Sequence, residues 1–246
     1  MALDENLVSV LFARLDAWRH LPAWQLERRA DVFFSLYLRE VVERECDVAL
    51  LECVIPEIPL KVPGSNHADK GDYLLISADG TRAFLVELKT DVRSRRDGQD
   101  TYLARAAADG IEAVLEGIQS IVLSTSSHQK YFHLLRELER VELLKLPPDL
   151  AEYVFPEPRQ GLTRKLREIT LTTKRPRVEV VFVQPIVTGG GERCIDFECF
   201  ARHVARHPDP LSQRFSESLL RWRAPAGARE AATEVVRGDR AQPRRC

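Results

Sequence analysis

The chain has 246 residues, 44% hydrophobic and 30% charged, with 36 Lys and Arg against 37 Asp and Glu for a net charge of −1. This composition suits a globular domain with a sizeable core. It excludes a protein that holds nucleic acid by overall basic charge, so any such contact needs a local basic surface. No window approaches the roughly 20 apolar residues of a membrane span.

Residues 4–19 are amphipathic, with Leu7, Leu11, Leu15 and Trp18 at helical spacing. Asp4 and Glu5 stand where a secretory leader would be positive, and Arg14 and Asp16 break the apolar run. A helix is therefore predicted rather than a targeting segment, and a cytoplasmic location is expected. After Pro22 a second helix is predicted over about 26–45, with Phe33, Leu36, Tyr37, Glu40 and Val41 on one stripe. Its single acid, Glu40, stands out on an otherwise apolar stripe.

The segment LECVIPEIPLKV reads as an extended edge or bend because of Pro56 and Pro59. A hairpin follows at 70–91. A helix is predicted over 101–123, weakened or divided by Gly110 and Gly117, and another after Ser127, running to Pro147-Pro148. Residues 147–176 read as irregular and basic. RVEVVFVQPIV has the Val-rich run of a strand buried on both faces, and Gly189–Gly191 reads as a turn. A short strand leads into a helix near Cys199, and a last helix ends near Trp222. Residues 1–223 are expected to form one domain, with 224–246 as a disordered tail. The class is α/β, a sheet with helices packed against it.

The five cysteines are an odd number, and Cys46-x6-Cys53 and Cys194-x4-Cys199 include no CxxC pair. Neither a disulfide framework nor an iron–sulfur cluster is indicated, and the first four read as small buried hydrophobes.

The hairpin KGDYLLISADGTRAFLVELKTD poses the chemical question. If Asp79-Gly80 is its two-residue loop, Ala78 pairs with Thr81, Leu74 with Leu85, and Asp72 with Glu87. Two carboxylates directly opposed, with Cβ atoms roughly 4.5–5.5 Å apart, repel unless a cation lies between them. Strand alternation keeps Lys89 on the face of Glu87 and sends Phe84, Val86 and Leu88 to the other, apolar face.

This pattern resembles the PD-(D/E)xK nuclease superfamily, whose core runs helix, three strands, helix, strand. Gly71-Asp72 matches its Asp position, with Gly in place of the usual Pro, and Glu87-Leu88-Lys89 matches its ExK. The resemblance covers about 26–125 and the strand at 177–187. It implies a restriction-endonuclease-like core with extra helices, and a nuclease acting most naturally on DNA. It also implies Mg²⁺ or Mn²⁺ held by Asp72 and Glu87 with a Glu from the first helix, for which Glu40 fits best by its stripe and Glu43 is the alternative, and Lys89 as the catalytic cation. Some members carry QxxxY in the next helix. Here Gln99 and Tyr102 are one residue too close, but both remain candidates beside the site. Arg93, Arg95 and Arg96 follow ExK and suit phosphate contacts. The basic segment 159–175 and His67 are weaker candidates. A catalytically inactive module on the same fold, binding nucleic acid or protein, is the competing reading. The helices at 1–20 and 127–146 suggest a protein partner.

Overall fold

The computed structural model describes residues 5–21, 24–61, 68–91, 97–187 and 193–225, with the backbone alone at 5–6 and 97–100. The chain opens with α1 (Glu5–Trp18) and α2 (Leu26–Cys46). Three strands follow: β1 (Ile55–Lys61), β2 (Ala68–Ile76) and β3 (Arg82–Leu88). Next come α3 (Asp97–Ser124), α4 (His128–Arg140), β4 (Leu144–Lys145), α5 (Leu150–Val154), α6 (Leu162–Arg167) and β5 (Thr170–Leu171). The chain returns through β6 (Arg177–Gln184) and β7 (Arg193–Asp196) to α7 (Phe197–Val204) and α8 (Pro210–Trp222).

The main sheet has the order β1-β2-β3-β6-β7, so the molecule is mixed α/β. The first three strands form an antiparallel meander, while β6 runs parallel to β3 and β7 parallel to β6. β1 lies at the sheet edge, where Pro56 and Pro59 are tolerated. β6 lies between β3 and β7 with Val181, Phe182 and Val183 all buried, as its continuous apolar run predicts. β4 and β5 pair as a separate two-stranded sheet.

Helices cover both faces of the sheet. Tyr73, Leu75, Phe84, Val86, Leu88, Val181 and Val183 join one core with α1, α2, α7 and α8. Their alternates Leu74, Ile76, Ala83, Leu85 and Phe182 join a second with α3, α4, α5 and α6. Both faces are apolar. The charged groups gather at the end of the hairpin away from the turn, as expected.

Several local expectations shift for packing reasons. On α1 the buried residues are Val8, Phe12 and Leu15, while Leu7 and Leu11 are exposed. On α2 the buried stripe is Leu26, Ala30, Phe34, Tyr37, Leu38, Val41 and Val42, rotated from the predicted one, and Leu36 is exposed. Gly110 does divide α3, at φ 83° and ψ 173°. Ser127 occupies the N-cap of α4 without a side-chain capping bond, and that helix ends at Arg140, short of Pro147. Residues 147–176 hold α5, α6 and β5 rather than irregular chain alone. Their cations Lys165, Lys174 and Arg175 are in ion pairs with Asp149, Glu168, Glu142 and Glu112.

The ends of the hairpin are fixed relative to α2. At the turn, the Ala78 N–H donates to the Ala49 carbonyl (2.7 Å) and the Arg82 guanidinium to the Cys46 carbonyl (3.2 Å). The turn therefore lies at the C-terminal end of α2, and the other end of β2 and β3 lies toward its N-terminus.

Candidate metal centre

The register of the hairpin matches the sequence reading. Tyr73 pairs with Val86, Leu74 with Leu85, Leu75 with Phe84 and Ile76 with Ala83. Continuing it by one residue sets Asp72 opposite Glu87. The loop is longer than the two residues expected. The last ladder bond is Ser77 N–H to Arg82 O (2.9 Å), leaving Ala78–Thr81 as the loop. Gly80 takes the left-handed conformation there, with φ +70°. Asp79 braces it by accepting from the Ser77 hydroxyl (2.6 Å) and the Thr81 N–H (3.0 Å). The extra residues are shared equally between the strands, so the pairing survives.

At the far end, Asp72 Oδ2 accepts the Leu88 N–H at 2.6 Å. This bond spans the two strands and fixes the aspartate carboxylate beside the ExK segment. Lys89 Nζ lies 2.6 Å from Glu87 Oε1, and 3.7 Å from Glu27 Oε1 of α2. The Lys89 N–H donates to Val183 O of β6 (2.8 Å), which extends the sheet through the motif. Tyr73 donates its hydroxyl to the Asp31 carbonyl (2.9 Å), tying the first turns of α2 to β2. Glu87 and Lys89 are 1% and 3% exposed, values that an ordinary solvated strand end would not give.

The α2 acid that reaches Lys89 is Glu27, which sequence reasoning missed, although its oxygens and those of Asp72 and Glu87 do not all lie within 4.8 Å of one another. Glu40 lies 13 residues further along α2, roughly 20 Å at 1.5 Å per residue. It instead meets Arg44 (3.0 Å) and His207 (2.9 Å). Glu43 accepts the Leu50 N–H (2.9 Å), bracing the chain after the helix. A signal for Glu27 was present. Only eight residues separate α2 from β1, so the hairpin turn had to lie near the helix C-terminus and the acid end near its N-terminus. Glu27 and Asp31 there are four apart and share a side.

Burial makes this cluster electrically tense. It pushes Glu87 up to about 7, and the nearby Asp72 charge acts in the same direction. Burial also raises Asp72, against the opposing Leu88 N–H bond, and raises Glu27 against the attraction of Lys89. For Lys89 burial opposes the charge, but Glu87 and Glu27 outweigh it and hold the ammonium above its ordinary range. The cluster opens on a cavity of about 330 Å³ lined by Glu27, Asp31, Glu57, Asp72 and Glu87 with Arg28 and Lys70. Carboxylates exceed cations in that wall, which favours a cation as occupant and disfavours a bare phosphate. Asp72, Glu87 and Glu27 offer hard oxygen donors, the set that suits Mg²⁺ or Mn²⁺.

Tyr102 lies on α3 and donates its hydroxyl to the Lys70 carbonyl (3.0 Å), so it braces the strand two residues before Asp72. Gln99 falls in α3, but its side chain lies outside the described residues, as do Arg93, Arg95, Arg96, His67 and Gly189–Gly191. None of the described cysteines is in a disulfide, and only Cys46 is buried, which narrows the expectation that four would be. No helix among the described residues is long and apolar enough to cross a membrane. No family model, curated protein or solved structure matches the chain.

Proposed function

We propose that the protein is a divalent-metal-dependent nuclease that hydrolyses phosphodiester bonds, with DNA as its substrate. The observation that carries this reading is the placing of Asp72 and Glu27 around the buried Glu87–Lys89 pair at one end of a hairpin. The order α2, β1–β3, α3, β6 also agrees with the core that the PD-(D/E)xK resemblance calls for.

Asp72 and Glu87 would hold Mg²⁺ or Mn²⁺, with Glu27 rather than Glu40 as the helix acid. The metal would supply Lewis-acid polarisation of the scissile phosphate and activation of the attacking water. The remaining work belongs to the chain. The Leu88 N–H fixes the Asp72 carboxylate, which limits reorganisation when charge develops. Lys89 lies against Glu87 and Glu27, so the ammonium stands beside the acids as a compact cation. Released from Glu87, it can face a phosphate oxygen or the attacking water and stabilise negative charge there. Arg93, Arg95 and Arg96 follow directly in sequence and are the proposed phosphate contacts, a local basic patch in a near-neutral chain.

The test is incubation of the full chain with linear and circular DNA and with RNA, in Mg²⁺ or Mn²⁺ and in chelator, alongside Glu87→Ala and Lys89→Ala. The expected result is metal-dependent cleavage of DNA that both substitutions abolish. Cleavage that survives both would move the active site elsewhere. Calorimetric Mg²⁺ binding with no cleavage of any substrate would replace the enzyme with the inactive binding module.

A further inference from the structure

The C-terminal end of α2 carries a second polar cluster of different chemistry. Glu45 projects from the last turn of α2, and Cys199 and His203 from α7. Cys199 and His203 are four apart in one helix, the spacing that puts both side chains on one face. His203 Nε2 lies 2.7 Å from Glu45 Oε1, and one carboxylate oxygen, the Cys199 sulfur and a His203 ring nitrogen all lie within 4.8 Å of one another. Among the described residues this is the one group of three or more His, Cys, Asp or Glu side chains whose ligand atoms gather so closely.

We propose that Glu45, Cys199 and His203 form a second metal site, selective for a borderline divalent cation such as Zn²⁺. Tetrahedral bonds of about 2.0–2.3 Å to oxygen, nitrogen and sulfur set ligand atoms roughly 3.3–3.7 Å apart. The present spacings need shifts of about 1 Å or less to meet that geometry. A thiolate and an imidazole favour Zn²⁺ over Mg²⁺, which prefers an all-oxygen shell. His203 is 5% exposed, which limits its rotamers, and Asp196 Oδ1 caps α7 through the Cys199 N–H at 2.7 Å. Two of the three ligands are thus already positioned. Glu45 is solvent-facing, so water can complete the shell from that side.

Binding would replace the thiol proton of Cys199 with the metal–sulfur bond and release that proton to solvent. It would also join α2 to α7, two elements far apart in sequence. The site is separate from the acid cavity. Glu27 and Glu45 are 18 residues apart on α2, roughly 27 Å along its axis.

The experiment titrates metal-stripped full chain with Co²⁺ and follows the near-ultraviolet thiolate-to-cobalt absorption, then displaces Co²⁺ with Zn²⁺. Glu87→Ala serves as a background in which the acid cavity is disabled. The expected result is one thiolate-bound Co²⁺ per chain in wild type and in Glu87→Ala, displaced by equimolar Zn²⁺. The band should vanish in Cys199→Ser, and the Co²⁺ affinity should fall about 10-fold or more in Glu45→Gln. A second measurement needs no variant: Zn²⁺ should protect Cys199 from alkylation, mapped by mass spectrometry. Absence of the band in wild type, its persistence in Cys199→Ser, or alkylation of Cys199 at an unchanged rate would each overturn the proposal.

Discussion

The two ends of α2 present opposite solutions to crowding electron-rich atoms. At the N-terminal end, Lys89 stands between Glu87 and Glu27 with Asp72 fixed beside them, an oxygen-donor set relieved by an ammonium. At the C-terminal end, Glu45 meets Cys199 and His203, a mixed oxygen, sulfur and nitrogen set relieved by shared protons. The first is built by neighbours in a hairpin with one residue from a helix. The second is built by a helix pair more than 150 residues apart. Donor chemistry, more than the number of acids, separates the proposed hard-cation site from the proposed borderline one.

The largest expected effect breaks the two ends apart by activity. Glu87→Ala and Lys89→Ala should each lower cleavage by about 10³-fold or more, since each removes a charge at the reacting centre. Cys199→Ser should leave the cleavage rate within about 2-fold at saturating Mg²⁺, because a site this far along α2 reaches no reacting atom. Cleavage time courses on labelled DNA decide both.

A smaller effect tests the reassigned acid. Glu27→Gln should cost about 10–100-fold in activity or Mg²⁺ affinity, the range for a group that supports metal ligands. Glu40→Gln should cost no more than about 2-fold, because its partners are Arg44 and His207. The reverse ranking would restore Glu40 to the site and displace Glu27.

Those two acids also show what the sequence made legible. The Asp72–Glu87 register could be read because it depends on a single turn and on strict alternation, both local. It survived a wrong loop length because equal additions on both strands preserve pairing. The order of helix, meander, helix and strand was legible for the same reason. The choice of helix acid was not read correctly, because it depends on how α2 is rotated over the sheet. Phe34 and Leu38 bury where Phe33 and Leu36 were expected, a tertiary outcome. The Glu45–Cys199–His203 cluster was less legible still, since no local pattern links residue 45 to residues 199 and 203. Their spacing alone reads the thiols as small hydrophobes.

The two ends should also answer pH in opposite senses in metal-free protein. Burial holds folded Glu87 up near 7 against an ordinary 4.5, so the folded state binds the extra proton. That contribution is fully present below about 4.5 and is lost as pH rises through about 7. Glu45 is held below its ordinary 4.5 by the His203 hydrogen bond, so its contribution is present above that value and is lost as pH falls through its folded value. Glu87→Gln should therefore flatten the alkaline slope of stability. Glu45→Gln should flatten only the acid side. Denaturant melts from pH 4 to 9 in chelator would show it. A wild-type curve with no loss between pH 5 and 8 would mean that Glu87 is not strained by its burial.

The smallest effect concerns the turn that sets the acid end. Asp79 is exposed and is held down to about 2 by the Ser77 and Thr81 bonds, so its contribution persists to very low pH. Asp79→Ala removes those bonds, and the melting midpoint should fall slightly. The pairing of Asp72 with Glu87 should persist, because Tyr73–Val86 through Ile76–Ala83 remain bonded and buried between two helical layers. Cleavage should then stay near wild type while stability drops. A loss of activity as large as that of Glu27→Gln would show instead that the turn, and not the flanking core, sets the register of the acids.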